Sequence, residues 1–491
     1  MHTPFLPGLR PFLAPMGSRS APALKSCRRI TLAQIETRFA PCLPPAVLRQ
    51  NPEKEFSRER IYTQVRTFWC WMWQILQGNT SCREVVRQVQ ALFALCGARS
   101  VDGDTGGYCL ARFKLGLTCL ERIFAGSIDA CRKAAPSGTL LQGRPLRVVD
   151  GSGVRLPDTP ANRQAFPPNN KEPGTGFPFL RVTALFCLGT GAILARVTGT
   201  LNTSEGQAMG SLCSPLARGD ILIGDRAYGL HVFAAVLQGC GVDLLARLST
   251  RNRRVDYRRA VRRFGVDDAL FVWRKGHPSK LLSPEQWAAL PEELTVRIIR
   301  HRVVKKGFRT KELTIVTTLL DPQLYPREEI LEAYLRRWRM EMCLDDLKSS
   351  LGMEMLTCRS PAMVEKELLM FLIAHNFLRW IMLQAAPQVP GAAERISFKG
   401  TLDAFRQWSQ ALAQLRSKRG AKGQARNLWS RLLETLAADA VPERPCRREP
   451  RAVKGRPKYG WLNQARHVFK ERPSRSARRR QSRANKRTAL N

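Results

Sequence analysis

The segment "YLRRWRMEMCLDDLK", residues 334–348, sets Glu341 among basic residues. On a helix each residue advances about 100°, so Tyr334, Arg337, Glu341 and Lys348 fall within an arc of roughly 60°. A stripe of guanidinium, ammonium and phenol donors around one acid suits phosphate held close to a carboxylate. An Arg337–Glu341 ion-pair ladder with Tyr334 packed against it fits the same spacing. Two further acids stand out: Asp150 closes the apolar run "LRVV" and Asp225 closes "ILIG". At the carboxyl ends of neighbouring buried strands, two such side chains emerge where open α/β sheets bind ligands. Like charges so placed repel unless a cation lies between them, and a hard divalent ion such as Mg²⁺ takes carboxylate oxygens while keeping positions open for phosphate and water. Singly, Asp150 reads as a turn opener, Asp225 as a helix cap and Glu341 as an exposed helical acid. Asp158 reads as a turn residue, Asp220 and Asp345 as spare carboxylates. Trp273, Trp287 and Trp338 suit core packing better than base stacking.

The surrounding chain is strongly basic. It has 491 residues, with 80 Lys plus Arg against 40 Asp plus Glu, a formal net charge of +40. Self-repulsion on that scale works against a compact state and calls for a polyanionic partner. Nucleic acid fits better than a ribosome-associated role or a membrane surface. The 14 cysteines are scattered, with no C-x-x-C pair and no histidine at zinc spacing, so they read as reduced thiols of a cytosolic protein. The most apolar stretch, "LLMFLIAHNFLRWIMLQAA" from Leu368, carries His375, Asn376 and Arg379 and reads as a buried core helix rather than a membrane span.

These elements divide the chain into segments. Residues 1–30 contain no acid and read as a flexible basic arm. Residues 31–135 are helical, and "SCREVVRQVQALFAL" opens on a capping box formed by Ser81 and Glu84. A Gly/Asp turn then leads to "YCLARFKLGL", an outline that fits a DNA-binding helix-turn-helix and a plain bundle about equally. Residues 140–249 alternate strands and helices, a mixed α/β pattern around one sheet. Residues 250–319 predict a β-rich inserted subdomain, and helices resume over 320–385 and 386–440. Residues 441–491 predict a disordered polycation: from Arg466 onward there are ten basic residues against one acid.

Tyr334, Arg337, Glu341 and Lys348 match the spacing Y-x2-R-x3-E-x6-K, which resembles the signature of the insertion-sequence-four family of DDE transposases. "VVDGSGVRLPDTPANRQAF" resembles the family's first-aspartate block and "GDRAYG" its second. The order Asp, Asp, Glu with a long β insertion before the Glu is also the family's, and the resemblance covers about residues 140–385.

The resemblance implies an RNase H-like catalytic core, interrupted by the β-rich insertion, preceded by the helical domain and followed by helices and the basic tail. It implies Asp150, Asp225 and Glu341 as catalytic residues and metal ligands of two Mg²⁺ ions, with Mn²⁺ able to substitute. Tyr334, Arg337 and Lys348 would hold DNA phosphate. The implied activity is cleavage at the ends of the protein's own insertion sequence, then joining to target DNA by the freed 3′-OH. A hairpin intermediate is the family's further suggestion. The partners would be double-stranded DNA, at element ends and target, and a second copy of the chain on that DNA, in the bacterial cytoplasm on the nucleoid. A metal-dependent nuclease that cuts without joining, and a decayed transposase that only binds DNA, are the rival readings.

Overall fold

The computed structural model describes residues 42–43, 45–49, 56, 61–95, 100–135, 140–168, 176–200, 212–248, 255–278, 282–302, 312–389, 395–414 and 421–441. The expected basic arm, nearly all of the basic tail, and most of the helix read from "TSEGQAMGSLCSPLA" lie outside these residues.

The chain opens on helices α1 (Pro45–Arg49), α2 (Gln64–Leu76), α3 (Cys82–Leu95), α4 (Gly106–Lys114) and α5 (Leu117–Lys133). Ser81 caps α3, its Oγ accepting from the Glu84 N–H at 3.2 Å. The Glu84 carboxylate takes the Thr80 hydroxyl, so Thr80 joins Ser81 in fixing this helix start.

The strands are β1 (Leu140–Leu141), β2 (Arg144–Arg155), β3 (Phe179–Cys187), β4 (Ile193–Gly199), β5 (Ile221–Gly224), β6 (Asp243–Arg247), β7 (Arg262–Gly265), β8 (Asp268–Arg274), β9 (Glu293–Arg302) and β10 (Glu312–Thr317). They form one mixed sheet in the order β4-β3-β2-β5-β6-β10-β9-β8-β7, with β1 paired to β2. The β2–β5 and β5–β6 pairs are parallel, and the remaining neighbours are antiparallel. The region read as an inserted subdomain is therefore continuous with the sheet. β10 pairs along β6, and β9, β8 and β7 extend the same surface outward.

Alternation along the central strands splits the core into two layers. Val148, Ile221, Ile223 and Leu245 face one layer. Val149, Leu222, Leu244 and Ala246 face the other, where the helix α7 (His231–Gly239) contributes Val232 and Phe233; the short α6 (Pro160–Ala165) precedes it in the chain. After α8 (Pro284–Ala288), the first layer is completed by α9 (Arg327–Leu335), α10 (Trp338–Asp345) and the long α11 (Pro361–Ala385), followed by α12 (Phe398–Gln414) and α13 (Ala421–Ala438).

α11 is long and apolar enough to cross a membrane by composition, but 89% of its most apolar window is buried inside the protein. Two of its buried polar residues reach the turn between β3 and β4. Asn376 accepts from the Ile193 N–H at 2.8 Å and donates to the Ile193 carbonyl at 3.0 Å, and His375 Nε2 meets the Gly191 carbonyl at 3.0 Å. They pin the β3–β4 turn to the helix.

Candidate active site

β2 and β5 place the two aspartates side by side. Their parallel register pairs Val148 with Ile223, so two residues further along Asp150 stands level with Asp225. The β5–β6 register pairs Gly224 with Ala246, which sets Arg247 level with Asp225 on the next strand. Asp150, Asp225 and Arg247 thus form a row at the carboxyl edge of three adjacent parallel strands. β2 itself runs on to Arg155, paired with β3, so Asp150 ends the parallel pairing but not the strand. Both carboxylates also make local turn contacts. Asp150 Oδ1 accepts from the Gly151 N–H at 2.9 Å, and Asp225 Oδ1 from the Ala227 N–H at 2.7 Å.

The glycines of "GDRAYG" have a packing role. A Cβ on Gly224 would come within 2.6 Å of the Tyr228 side chain, and one on Gly229 within 2.5 Å of the Arg247 carbonyl. Only glycine lets the chain leave β5, fold Tyr228 back beneath it and still pass close to β6.

The third acid arrives on α10, which packs against β2. The single helix expected over 334–348 is three pieces: α9 ends at Leu335, α10 spans Trp338–Asp345, and a π-helical turn covers Asp346–Ser350. At the junction the Arg337, Arg339 and Met340 N–H groups bond three residues back, to Tyr334, Arg336 and Arg337. These tight turns, followed by the wide π turn, break the uniform 100° advance on which the 60° arc rested.

The polar stripe also faces inward. Tyr334 is 3% exposed and Arg337 8%, in line with the core residues Met340, Leu344 and Leu347. Leu335, Trp338 and Met342 are exposed instead, so the expectation that Trp338 packs in the core is corrected: it is 47% exposed. Trp273 and Trp287 do pack against the second layer. Arg337 Nη2 donates to Glu341 Oε1 at 2.8 Å. This is the ion pair that the sequence left as an alternative to a phosphate grip. Both side chains are enclosed and the guanidinium is committed to the acid. Lys348 sits half-buried in the π turn.

Charge couples the site. Burial raises the Asp150 carboxyl above its ordinary pKa; the Gly151 N–H and the Arg337 guanidinium oppose this, while the charges of Glu341 and Asp225 add to it. Burial likewise raises the Tyr334 hydroxyl, against the pull of Arg337 and Arg247. Arg337 is raised in spite of its burial, because Tyr334, Glu341 and Asp150 all favour its charge. Among the described residues, no three His, Cys, Asp or Glu side chains stand close enough to grip one ion. Glu341 is engaged by Arg337. Asp150 feels the charges of both Glu341 and Asp225, and carboxylate oxygens are the donors that a hard divalent cation prefers.

Sequence reasoning missed Arg247; its signal was an arginine closing the apolar run "VDLLA" one strand over from Asp225. The remaining acids are accounted for. Asp158 pairs with Arg163 at 2.5 Å, Asp220 with Arg147 at 3.1 Å, and Asp345 accepts from the Ser349 hydroxyl at 3.1 Å.

A parallel sheet edge carries two level aspartates, and a later helix that packs against the same sheet carries the glutamate. The family model for the transposase DDE domain matches residues 141–377, which supports a DDE transposase. A curated relative, the transposase InsG for insertion sequence element IS4 of Escherichia coli (strain K12), is 25% identical over 397 residues, covering 79% of this chain and 84% of that one, and supports the insertion-sequence-four type. The piggyBac transposase, in a synaptic complex with hairpin DNA, aligns with a TM-score of 0.38 at 10% identity over 83% of this chain and 85% of that one.

Proposed function

We propose that this DNA transposase cuts at the ends of its own insertion sequence and joins the freed ends to target DNA, using Asp150, Asp225 and Glu341 on an RNase H-like core. The supporting observation is the shared register of Asp150 and Asp225, with Glu341 close enough for its charge to act on Asp150. The strand order β4-β3-β2-β5-β6, three antiparallel strands followed by two parallel ones, supports the core assignment.

Divalent cations, Mg²⁺ or Mn²⁺ in its place, held by Asp150, Asp225 and Glu341 would activate the attacking oxygen and stabilise charge on the leaving one. Repulsion among the three carboxylates stores the preference for a cation. Arg337 and Tyr334 act as positioning residues: Arg337 holds Glu341, and Tyr334 shields that pair from water. Phosphate is gripped by the accessible cations of the same edge, Lys348, Arg247 and Arg226, whose side chains are half-buried or exposed. Water attacks first and frees a 3′-OH, which then attacks the target strand at the same carboxylates. Two copies of the chain hold two ends in one complex. The helical segment 61–135 contributes binding to the element ends.

Asp225→Ala and Glu341→Ala test this on labelled end DNA. Each is expected to abolish cleavage in Mg²⁺ and keep end binding. Near wild-type cleavage by either would remove that residue from the centre. Cleavage without joining would favour a nuclease.

A further inference from the structure

A cluster of thiols lies between the helical segment and α11, apart from the acidic centre. Cys82 is the first residue of α3, and Cys109 is exposed on α4. Arg112, also on α4, is 4% exposed, stacks on Trp71 at 4.1 Å, and donates Nη1 to the Cys82 sulfur at 3.2 Å and Nη2 to the Cys358 sulfur at 3.1 Å. Its Nε has no hydrogen-bond partner. Gln74 Nε2 lies 3.8 Å from the same Cys82 sulfur, and Cys109, three residues before Arg112, lies on the face of α4 that Arg112 presents to it. A helix N-terminus, a buried guanidinium and a second thiol therefore converge on one half-buried sulfur. Each of the three favours thiolate over thiol.

We infer that Cys82 and Cys109 are a peroxide-reactive pair that closes to a disulfide. Hydrogen peroxide or an organic hydroperoxide is the oxidant. The Cys82 thiolate attacks one peroxide oxygen, an S–O bond forms, the O–O bond breaks, and hydroxide or alkoxide leaves. The sulfur loses two electrons to the peroxide and becomes a sulfenic acid. Cys109 then attacks that sulfur, the S–S bond replaces the S–O bond, and the oxygen departs as water with the thiol proton. The Cys109 hydrogen bond, followed by the Arg112 charge, holds the Cys82 thiol down to about 6, while Cys109 is held well up, giving one attacking and one resolving sulfur.

Oxidation removes the anion that Arg112 faces. Arg112 also carries Cys358, whose N–H donates to the buried Glu367 of α11 at 2.8 Å, and Asn79 donates to that Glu367 at 2.9 Å. The pair thus sits on the seam joining the helical segment to the rest of the protein, and its oxidation loosens that seam.

The test treats the full chain with hydrogen peroxide, then digests it without reductant and maps the peptides, with the exposed Cys240 as comparison thiol. The expected result is a Cys82–Cys109 crosslink forming before Cys240 is oxidised. Dithiothreitol should reverse it, and the melting temperature should fall on oxidation and recover on reduction. In Cys109→Ser, an exposed substitution, dimedone should label Cys82. A Cys82 that stays alkylatable after peroxide in that variant, or that reacts no faster than Cys240, would overturn the proposal.

Discussion

Arg337 reaches Glu341 at 2.8 Å from a nearly sealed position: its side chain is 10% exposed and that of Glu341 40%. The guanidinium lies in the core stripe of α9–α10, with Tyr334 on one side and the charge of Asp150 on the other. Its guanidinium ties the Glu341 carboxylate to that stripe.

Replacing it should therefore have two effects at once. Arg337→Ala leaves the Tyr334 and Glu341 side chains facing a cavity, and removing one member of a part-buried pair costs on the order of 1–3 kcal/mol. Urea denaturation should show that loss, and single-turnover cleavage should fall by tenfold or more as Glu341 loses its setting. Arg337→Lys should recover part of the stability and little of the rate, since an ammonium cannot reproduce the planar contact. An Arg337→Ala protein with unchanged stability would mean that the pair does not form in solution.

His375 gives the fold a predictable acid sensitivity. It is fully buried, and burial, followed by the nearby Arg379 charge, lowers its pKa to about 3 from the ordinary 6.5. The unfolded chain takes up this proton first. The neutral imidazole's contribution to stability is thus complete above about pH 6.5 and is lost as pH falls toward 3, by roughly 1.4 kcal/mol per pH unit. Urea midpoints at several pH values should fall more steeply for wild type than for His375→Gln. Parallel slopes would show that His375 takes up its proton in the folded state as well.

Much of this arrangement was legible in the chain itself. Apolar runs closed by Asp150 and Asp225 marked two buried strands that share a sheet, because period-two burial follows from local rules, although β2 runs on past Asp150 to Arg155. The glutamate was legible from its spacing to Tyr334, Arg337 and Lys348. The direction of that stripe was not: hydrophobic periodicity assumes polar residues face out, whereas Leu335, Trp338 and Met342 face solvent here and Arg337 faces the core. The tight turn at Arg337 and the π turn from Asp346 depend on tertiary packing, which no window of 15 residues contains. Strand register is also non-local, so Arg247 gained its place beside Asp225 only once β6 was paired with β5. The continuity of β7–β10 with the sheet was hidden for the same reason.

The basic tail supplies a separable prediction. Removing residues from Arg466 onward deletes ten basic residues and one acid. If they bind DNA, affinity should weaken for specific and unrelated sequences alike. The slope of log affinity against log salt should flatten by about 0.9 for each phosphate that the tail neutralises. A truncated protein with the wild-type slope would place the tail away from DNA.

Asp150 sets stability against activity. Its carboxyl is raised mainly by burial, with Glu341 and Asp225 adding to the strain of ionising it. An acid whose pKa is higher folded than unfolded costs stability once ionised: the cost is absent below the unfolded value of 3.8 and is complete above the folded one. Asp150→Asn keeps the shape and removes the charge. At pH 7 it should raise the melting temperature, by a few degrees at most in a chain of this size. That gain should shrink as the pH is lowered toward 4 and wild-type Asp150 becomes neutral too. Cleavage of end DNA in Mg²⁺ should be lost, because a neutral amide is a poor replacement for a carboxylate ligand. Added Mn²⁺ should stabilise the wild type more than the variant, a readout that needs no DNA. If Asp150→Asn is instead less stable than wild type at pH 7, the carboxylate is serving the fold through Arg337 and the Gly151 N–H, and its assignment to the acidic centre loses its physical basis.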